Sequence, residues 1–245
     1  MHCQPWLRSL VYKCTYNDQT CLLCDVLTDQ PYPLCTCCET ELPWLDDQCL
    51  ICALPLPMRG LTCGQCRRKR PAFKRVETLW HYGFPIDALI TRFKHSSQWP
   101  LGRLLAELQG RGLQHRFEQG LPRPDRLLPV PMSRDRLRQR GFNQAAMLAR
   151  WISDPLHIPC DEGLLQRPRE TPAQQVLGAK ARQRNLREAF ALGRDEALDG
   201  LHLALVDDVM TTGATAQALA GLLRQAGARR VDVYCLARTA KPDKT

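Results

Sequence analysis

No apolar run in this chain approaches the length of about eighteen residues that a membrane-spanning helix requires, which excludes membrane insertion by that route. The opening residues, MHCQPWLRSLVYKC, lack both a clear apolar core and a small-residue cleavage site, so export is not expected and the location is read as cytoplasmic. Aromatic residues are scarce at 7%, and beside the most basic stretch only Phe73 could offer a stacking surface to a nucleobase. There is no low-complexity tail and no long internal repeat. Beyond residue 66 cysteine nearly vanishes: two of the thirteen, Cys160 and Cys235, lie there, and both read as small buried apolar residues. Acidic residues are also short, 25 against 34 Lys and Arg, and the net charge of +9 favours an anionic partner without naming one. Hydrophobic content of 44% and charged content of 24% exclude a disordered chain. A length of 245 residues suits one sizeable core with a small appendage.

The cysteines that are present concentrate before residue 67, and eight of them form four C-x-x-C pairs: Cys21 with Cys24, Cys35 with Cys38, Cys49 with Cys52, and Cys63 with Cys66. A C-x-x-C knuckle places two thiolates on one side of a tight turn, and two knuckles complete a tetrahedral four-thiolate site for Zn²⁺. A disulfide framework suits an exported chain, which this one does not resemble, and an iron–sulfur cluster is the other use of such thiolates. Spacing alone leaves open one ion or two, and sequential or interleaved pairing. Cys3, Cys14 and Cys37 fall outside the pattern, with Cys37 a competitor of Cys38. About seventy residues with few large apolar side chains build little core, so metal is expected to supply folding energy to residues 1–70, read as a double zinc-ribbon-like domain.

Directly after the last knuckle, RRKRPAFKR carries Arg67, Arg68, Lys69, Arg70, Lys74 and Arg75 with no acid among them. Such a flank suits either a nucleic-acid contact or a solvated linker. Residues 71–245 alternate strand-like and helix-like stretches, which predicts an α/β domain. Strands are expected at Val76–Tyr82, Leu127–Pro131, Leu201–Val206 and Arg230–Leu236. Helices are expected at Asp87–His95, Leu101–Leu113, Asn143–Ile152 and after residue 215, the last closed by Gly227.

The most informative stretch is LALVDDVMTTGAT. Its apolar run ends at Asp207 and Asp208; Thr211, Thr212, Gly213, Ala214 and Thr215 follow, and then a helix begins whose apolar face includes Leu219, Leu222 and Leu223. Free N–H groups and the positive dipole end of a helix receive a phosphate. Gly213 allows close backbone approach, the hydroxyls add donors, and the carboxylates can accept hydrogen bonds from vicinal ribose hydroxyls. Basic segments at Thr91–Gln98 (Arg92, Lys94), Ser133–Gln144 and Ala179–Phe190 (Lys180, Arg182, Arg184, Arg187) are candidates for holding a pyrophosphate, with solvated helix faces the plain alternative.

This loop resembles the binding motif for 5-phosphoribosyl-1-pyrophosphate (PRPP) in type I phosphoribosyltransferases. With the zinc knuckles, LLPVP followed by RQRGFNQ, and RPRETPAQQVLGAKARQRNLREAF, the chain resembles the ComF family, also called the GntX or competence protein F family, over roughly residues 18–238. The resemblance implies a type I phosphoribosyltransferase-like parallel-sheet domain preceded by a small Cys-rich zinc-binding domain. It also implies a link to bacterial DNA uptake, by natural transformation or as a nutrient. Carried over, it puts Asp207 and Asp208 on the ribose as catalytic residues and Thr211 to Thr215 on the 5-phosphate. Arg140, Gly141, Asn143 and Gln144 fall on the RGFNQ stretch, and Lys94 falls on a family lysine. The chain departs from the family pattern at Cys37 and at Gly178 and Ala179.

Two functions are then expected. In one, PRPP or a related phosphorylated ribose binds the domain while basic segments and the zinc module engage single-stranded DNA or a DNA-uptake helicase. In the other, the protein is a phosphoribosyltransferase of nucleobase or nucleotide salvage, transferring a pentosyl group from PRPP with Mg²⁺ on the pyrophosphate and ribose hydroxyls. No base-recognising hood is legible in the sequence, and no helix-turn-helix supports a repressor.

Overall fold

The computed structural model describes residues 19–28, 30–168 and 189–241. Cys3, Cys14, Gly178, Ala179 and the basic residues Lys180 to Arg187 lie outside them. The chain forms two compact units, Met1–Leu42 and Pro43–Thr245. In the smaller, strands β1 (Gln19–Thr20) and β2 (Leu27–Thr28) pair antiparallel around the first knuckle, and helix α1 (Thr36–Thr40) follows. Cys35 caps α1, its Sγ accepting from the Cys38 N–H at 3.5 Å.

The larger unit begins with the second pair of knuckles and helix α2 (Gly64–Arg68). It continues through β3 (Arg75–Glu77), β4 (Trp80–His81), α3 (Ile86–Ser96), α4 (Trp99–Glu118), β5 (Arg126–Pro129), α5 (Arg134–Arg140) and α6 (Gln144–Leu156). A two-stranded antiparallel pair, β6 (Leu165–Gln166) with β7 (Ala191–Leu192), precedes β8 (His202–Met210), α7 (Ala214–Gln225) and β9 (Arg230–Arg238). The main sheet runs β3-β9-β8-β5, with β4 also on β9, and every pairing in it is parallel.

Residue pattern accounts for these elements. Leu203, Ala204, Leu205 and Val206 are a continuous apolar run rather than an alternating one, which fits a central strand covered on both faces; all four are at most 1% exposed. Ile86, Leu89, Ile90 and Phe93 fall at helical spacing and form the buried face of α3. In α6, Leu148, Ala149 and Ile152 face the core, and the helix ends one residue after Pro155 with His157 in the left-handed region.

Two elements differ from the sequence reading. The strand expected over Val76–Tyr82 is two pieces, because Thr78 spends its hydroxyl on the Leu236 carbonyl (2.9 Å) and Leu79 turns its carbonyl to the Leu45 N–H (2.8 Å). The strand expected to stop at Val206 runs to Met210, since β9 continues alongside and pairs Asp207 with Cys235, Val209 with Ala237 and Met210 with Arg238. The acidic pair therefore belongs to the strand itself. Among the described residues no helix is long and apolar enough to cross a membrane.

Candidate functional site

The end of β8, the loop that follows and the start of α7 enclose a small hollow of about 50 Å³. Asp207, Met210, the five loop residues Thr211 to Thr215, and Val130 beyond β5 line it. Gly213 holds φ +75° as the N-cap of α7, a backbone conformation that favours glycine, and a Cβ there would stand 2.5 Å from the flexible end of Met210, which would have to move aside. The first N–H groups of α7 have no intrahelical acceptor, and that of Ala214 makes only a long contact with Thr212 Oγ1, 3.4 Å. Thr211 and Thr212 are exposed and Thr215 is half-buried. Groups of this kind could receive a compact anion.

The two carboxylates have different environments. Asp207 Oδ1 accepts from the Asp208 N–H at 2.9 Å, and Asp208 Oδ1 accepts from the Val209 N–H at 2.6 Å. Burial, reinforced by the neighbouring Asp208 carboxylate, pushes the Asp207 carboxyl up to about 8. Asp208 instead meets Lys94 Nζ of α3 at 2.9 Å, both side chains largely buried, while its Oδ2 is buried with no hydrogen-bond partner among the described residues. The structure thus bonds Lys94 to Asp208, the chain neighbour of Asp207, which lines the hollow together with the loop; Lys94 and Asp208 themselves are not part of that lining.

Arg140 stands apart from the hollow's lining. At the end of α5 its Nη1 donates to Gln144 Oε1 at 2.6 Å. The rest of RGFNQ is a joint: Gly141 (φ +82°) ends α5, Phe142 packs on Phe93 of α3 at 5.6 Å between ring centroids, and Asn143 caps α6 while donating to the Val130 carbonyl at 3.1 Å. This motif braces α3, and with it Lys94, against the end of β5.

Sequence reasoning missed Arg238, the last residue of β9 and 5% exposed. Its Nε donates to the Cys52 carbonyl at 3.0 Å, and its Nη1 donates to the carbonyls of Met210 at 2.9 Å, Thr211 and Thr239 at 3.0 Å. One guanidinium therefore ties a cysteine knuckle to the start of the hydroxyl-rich loop. The available signal was an arginine closing the otherwise apolar run VYCLA.

The eight cysteines form two groups in sequential pairing. Cys21, Cys24, Cys35 and Cys38 make one and Cys49, Cys52, Cys63 and Cys66 the other, with the sulfurs of each group within 4.8 Å of one another. Cys37 is exposed and belongs to neither. Burial works against the charged thiolate, but backbone N–H groups outweigh it and hold Cys21 down at about 6 and Cys49 at about 7. Burial and neighbouring thiolates push Cys38 and Cys66 up. Four sulfurs this close, one in each group held in a readily ionised state, fit a tetrahedral divalent ion, and both groups could bind zinc. Cys235 is buried as expected, and burial pushes its thiol up to about 12; Cys160 is only half-buried, and its thiol is pushed up to about 11 by burial and by the neighbouring carboxylates of Glu162, Asp161 and Asp154.

A parallel α/β domain whose central strand ends in two carboxylates and a hydroxyl-rich helix start, together with two four-cysteine groups that could bind zinc, is the architecture that the sequence leads one to expect. No protein-family model matches the chain. It is 36% identical over 221 residues to the DNA utilization protein YhgH of Escherichia coli O157:H7, an alignment covering 89% of this chain and 96% of that protein. It is 33% identical over 207 residues to competence protein F of Haemophilus influenzae, covering 84% and 90%. Among solved structures, a purine phosphoribosyltransferase from Pyrococcus horikoshii aligns at 16% identity with a TM-score of 0.34, covering 55% of this chain and 70% of that one. The chain belongs to the ComF family.

Proposed function

We propose that the hollow after β8 holds the phosphate of PRPP or a related phosphorylated ribose, and that the protein uses this site in handling external DNA. The single observation that carries the reading is Asp207 lining one hollow with the loop Thr211 to Thr215 at the start of α7, next in the chain to the buried Lys94–Asp208 pair. In this reading the loop residues bind the phosphate, and Asp207 and Asp208 accept from ribose hydroxyls. Among the described residues no salt bridge is made by Asp207 and no hydrogen bond by Asp208 Oδ2, and these oxygens would be the ones to hold a divalent cation. Bound Mg²⁺ would supply charge neutralisation of a pyrophosphate. If pentosyl transfer occurs, these carboxylates stabilise positive charge at the anomeric carbon, and little acid–base chemistry is needed. The DNA role is supported by the names of the relatives and by the basic flank of the second cysteine group.

The test is calorimetric titration of PRPP with Mg²⁺ into the metal-loaded protein, beside an Asp207→Asn, Asp208→Asn double variant. Binding to the wild type that disappears in the variant is expected. Equal heats from both, or none from either, would remove the phosphoribosyl reading. Pyrophosphate release only on adding a free nucleobase would move the protein to salvage chemistry instead.

A further inference from the structure

A groove lined by cationic side chains lies at the opposite end of the sheet. Strands β8 and β9 begin at His202 and Arg230 and end at Met210 and Arg238. Eight residue steps at about 3.3 Å each put the starts of these strands roughly 26 Å from the phosphate hollow. At that far end lies a groove of about 990 Å³. It lies between the chain that leaves the second cysteine group, the end of α4, and the turn from α7 into β9.

The groove is lined by cations from three separate segments. Arg70 and Lys74 come from the chain after α2; both are exposed, and neither has an acidic partner among the described residues. Arg75 and Arg116 approach from two sides of the buried Glu77 and share its carboxylate. Arg224 comes from the end of α7, Arg229 from the turn that follows and Arg230 from the start of β9. Arg224 is held by the carbonyls of Ala228 and Arg229, and Arg229 by that of Gly200 at 3.2 Å, contacts that orient the guanidinium groups without cancelling their charge. Arg230 meets Asp232 at 2.9 Å, and the same Asp232 oxygen lies 2.9 Å from His202 Nε2. Seven cations thus face two buried carboxylates, a surplus of five positive charges. Between them the lining is mixed, with apolar Leu50, Ile51, Pro71 and Leu121 beside polar Thr62, Gln119 and His202.

We infer that this groove binds single-stranded DNA, separately from and together with the phosphate ligand of the hollow. A concave surface edged by cations from three segments suits a flexible strand whose phosphates can follow them. A rigid duplex would present only its convex backbone to such a surface. The inference rests on the DNA reading above and sharpens it. The contact falls to Arg70, Lys74 and the β9 turn, and not to Arg67, Arg68 and Lys69, which lie outside the groove's lining.

The test is fluorescence anisotropy with a labelled single-stranded oligothymidylate. An Arg70→Gln, Lys74→Gln, Arg229→Gln variant is compared with Arg67→Gln, Arg68→Gln, Lys69→Gln, which carries the same charge change outside the groove. The groove variant is expected to lose about tenfold or more in affinity and to lower the slope of log K against log salt by about 2, three phosphates at about 0.7 each. Calorimetric binding of PRPP should be unchanged in it, and added PRPP should not displace the DNA. Thermal melting checks that both variants fold, and single Lys74→Gln and Arg229→Gln variants serve if the triple does not. Equal losses in the two triple variants would replace the groove with diffuse attraction and leave the DNA reading intact. Displacement by PRPP, or tighter binding to duplex or to anionic phospholipid vesicles, would overturn the separate single-strand site. Absence of DNA binding by the wild type would remove both readings.

Discussion

Cys21, Cys24, Cys35 and Cys38 repeat the backbone bonding of Cys49, Cys52, Cys63 and Cys66 nearly residue for residue. In the first group the Cys21 N–H donates to Val26, the Asp25 N–H returns to Cys21, and Asp25 takes φ +59°. In the second the Cys49 N–H donates to Leu54, the Ala53 N–H returns to Cys49, and Ala53 takes φ +52°. Cys35 and Cys63 then cap matching short helices, each Sγ accepting from an N–H three residues on at 3.5 Å. What differs is the surroundings. Of the first group only Cys21 is buried, and Cys24 is exposed. All four of the second are buried and share one apolar core with Phe73, Val76, Leu219 and Val233. The second group is further bonded to the sheet domain through Val76 N–H to Ile51 at 2.9 Å, Ala72 N–H to Gln217 Oε1 at 2.8 Å, and Arg238. The same knuckle can therefore serve as a small unit or as part of a larger core, depending on the apolar residues that flank it.

The sharpest way to break this comparison is to substitute matched positions. Cys63→Ser should destabilise the whole sheet domain, by about 4 kcal/mol or more, as expected when a metal site is lost from a core. Cys35→Ser should leave the main thermal transition within a degree or two while halving bound zinc. Differential scanning calorimetry with metal analysis reads both, and a similar collapse in the two variants would contradict the contrast. Next comes the tie between the second group and the loop. Arg238→Met strands the carbonyls of Cys52 and Met210, at a cost of about 1–3 kcal/mol each where they stay dry. PRPP affinity should fall while both zinc ions stay bound, and Arg238→Lys should restore part of it.

A smaller effect isolates the loop from the cysteine group. Gly213→Ala forces an alanine into φ +75° against Met210 and should cost about 1–2 kcal/mol, with urea titration as the measure and zinc content unchanged. The smallest effect is one of pH. The Asp207 carboxyl holds its proton to about pH 8 in the folded chain and to about 4 when unfolded. The folded state therefore binds the extra proton between these values, and this contribution to stability declines as pH rises through that window. Asp207→Asn should raise the melting temperature at pH 8 and leave it unchanged at pH 4.

Much of the molecule was legible from pattern alone. The thiolate pairs, the apolar run into Asp207 and Asp208, the TTG loop and the helix after it are contiguous signals, because their chemistry needs residues close together in sequence. The period of 3.6 located α3 and α6 for the same reason. Lys94 was placed at the site by family resemblance, and its bond to Asp208 spans 114 residues of chain that no local pattern measures. RGFNQ was read as an anion segment, whereas Phe142 and Asn143 use it to brace α3 and β5. Its charge is local, but its partners are supplied by packing.

The sequence by itself determined that the chain carries four cysteine knuckles, an acidic strand end and a phosphate-type loop, since each depends on spacings of a few residues. Only the tertiary structure decided which cysteines share a site and that one of the two groups is built into the sheet core. It also decided that Arg238 ties that group to the loop, and that cations from three distant segments line one groove at the far end of the strands. Those facts depend on which surfaces meet when β3, β8 and β9 pair and α7 packs over them, and burial of apolar area across such surfaces is not recorded in any short stretch of residues.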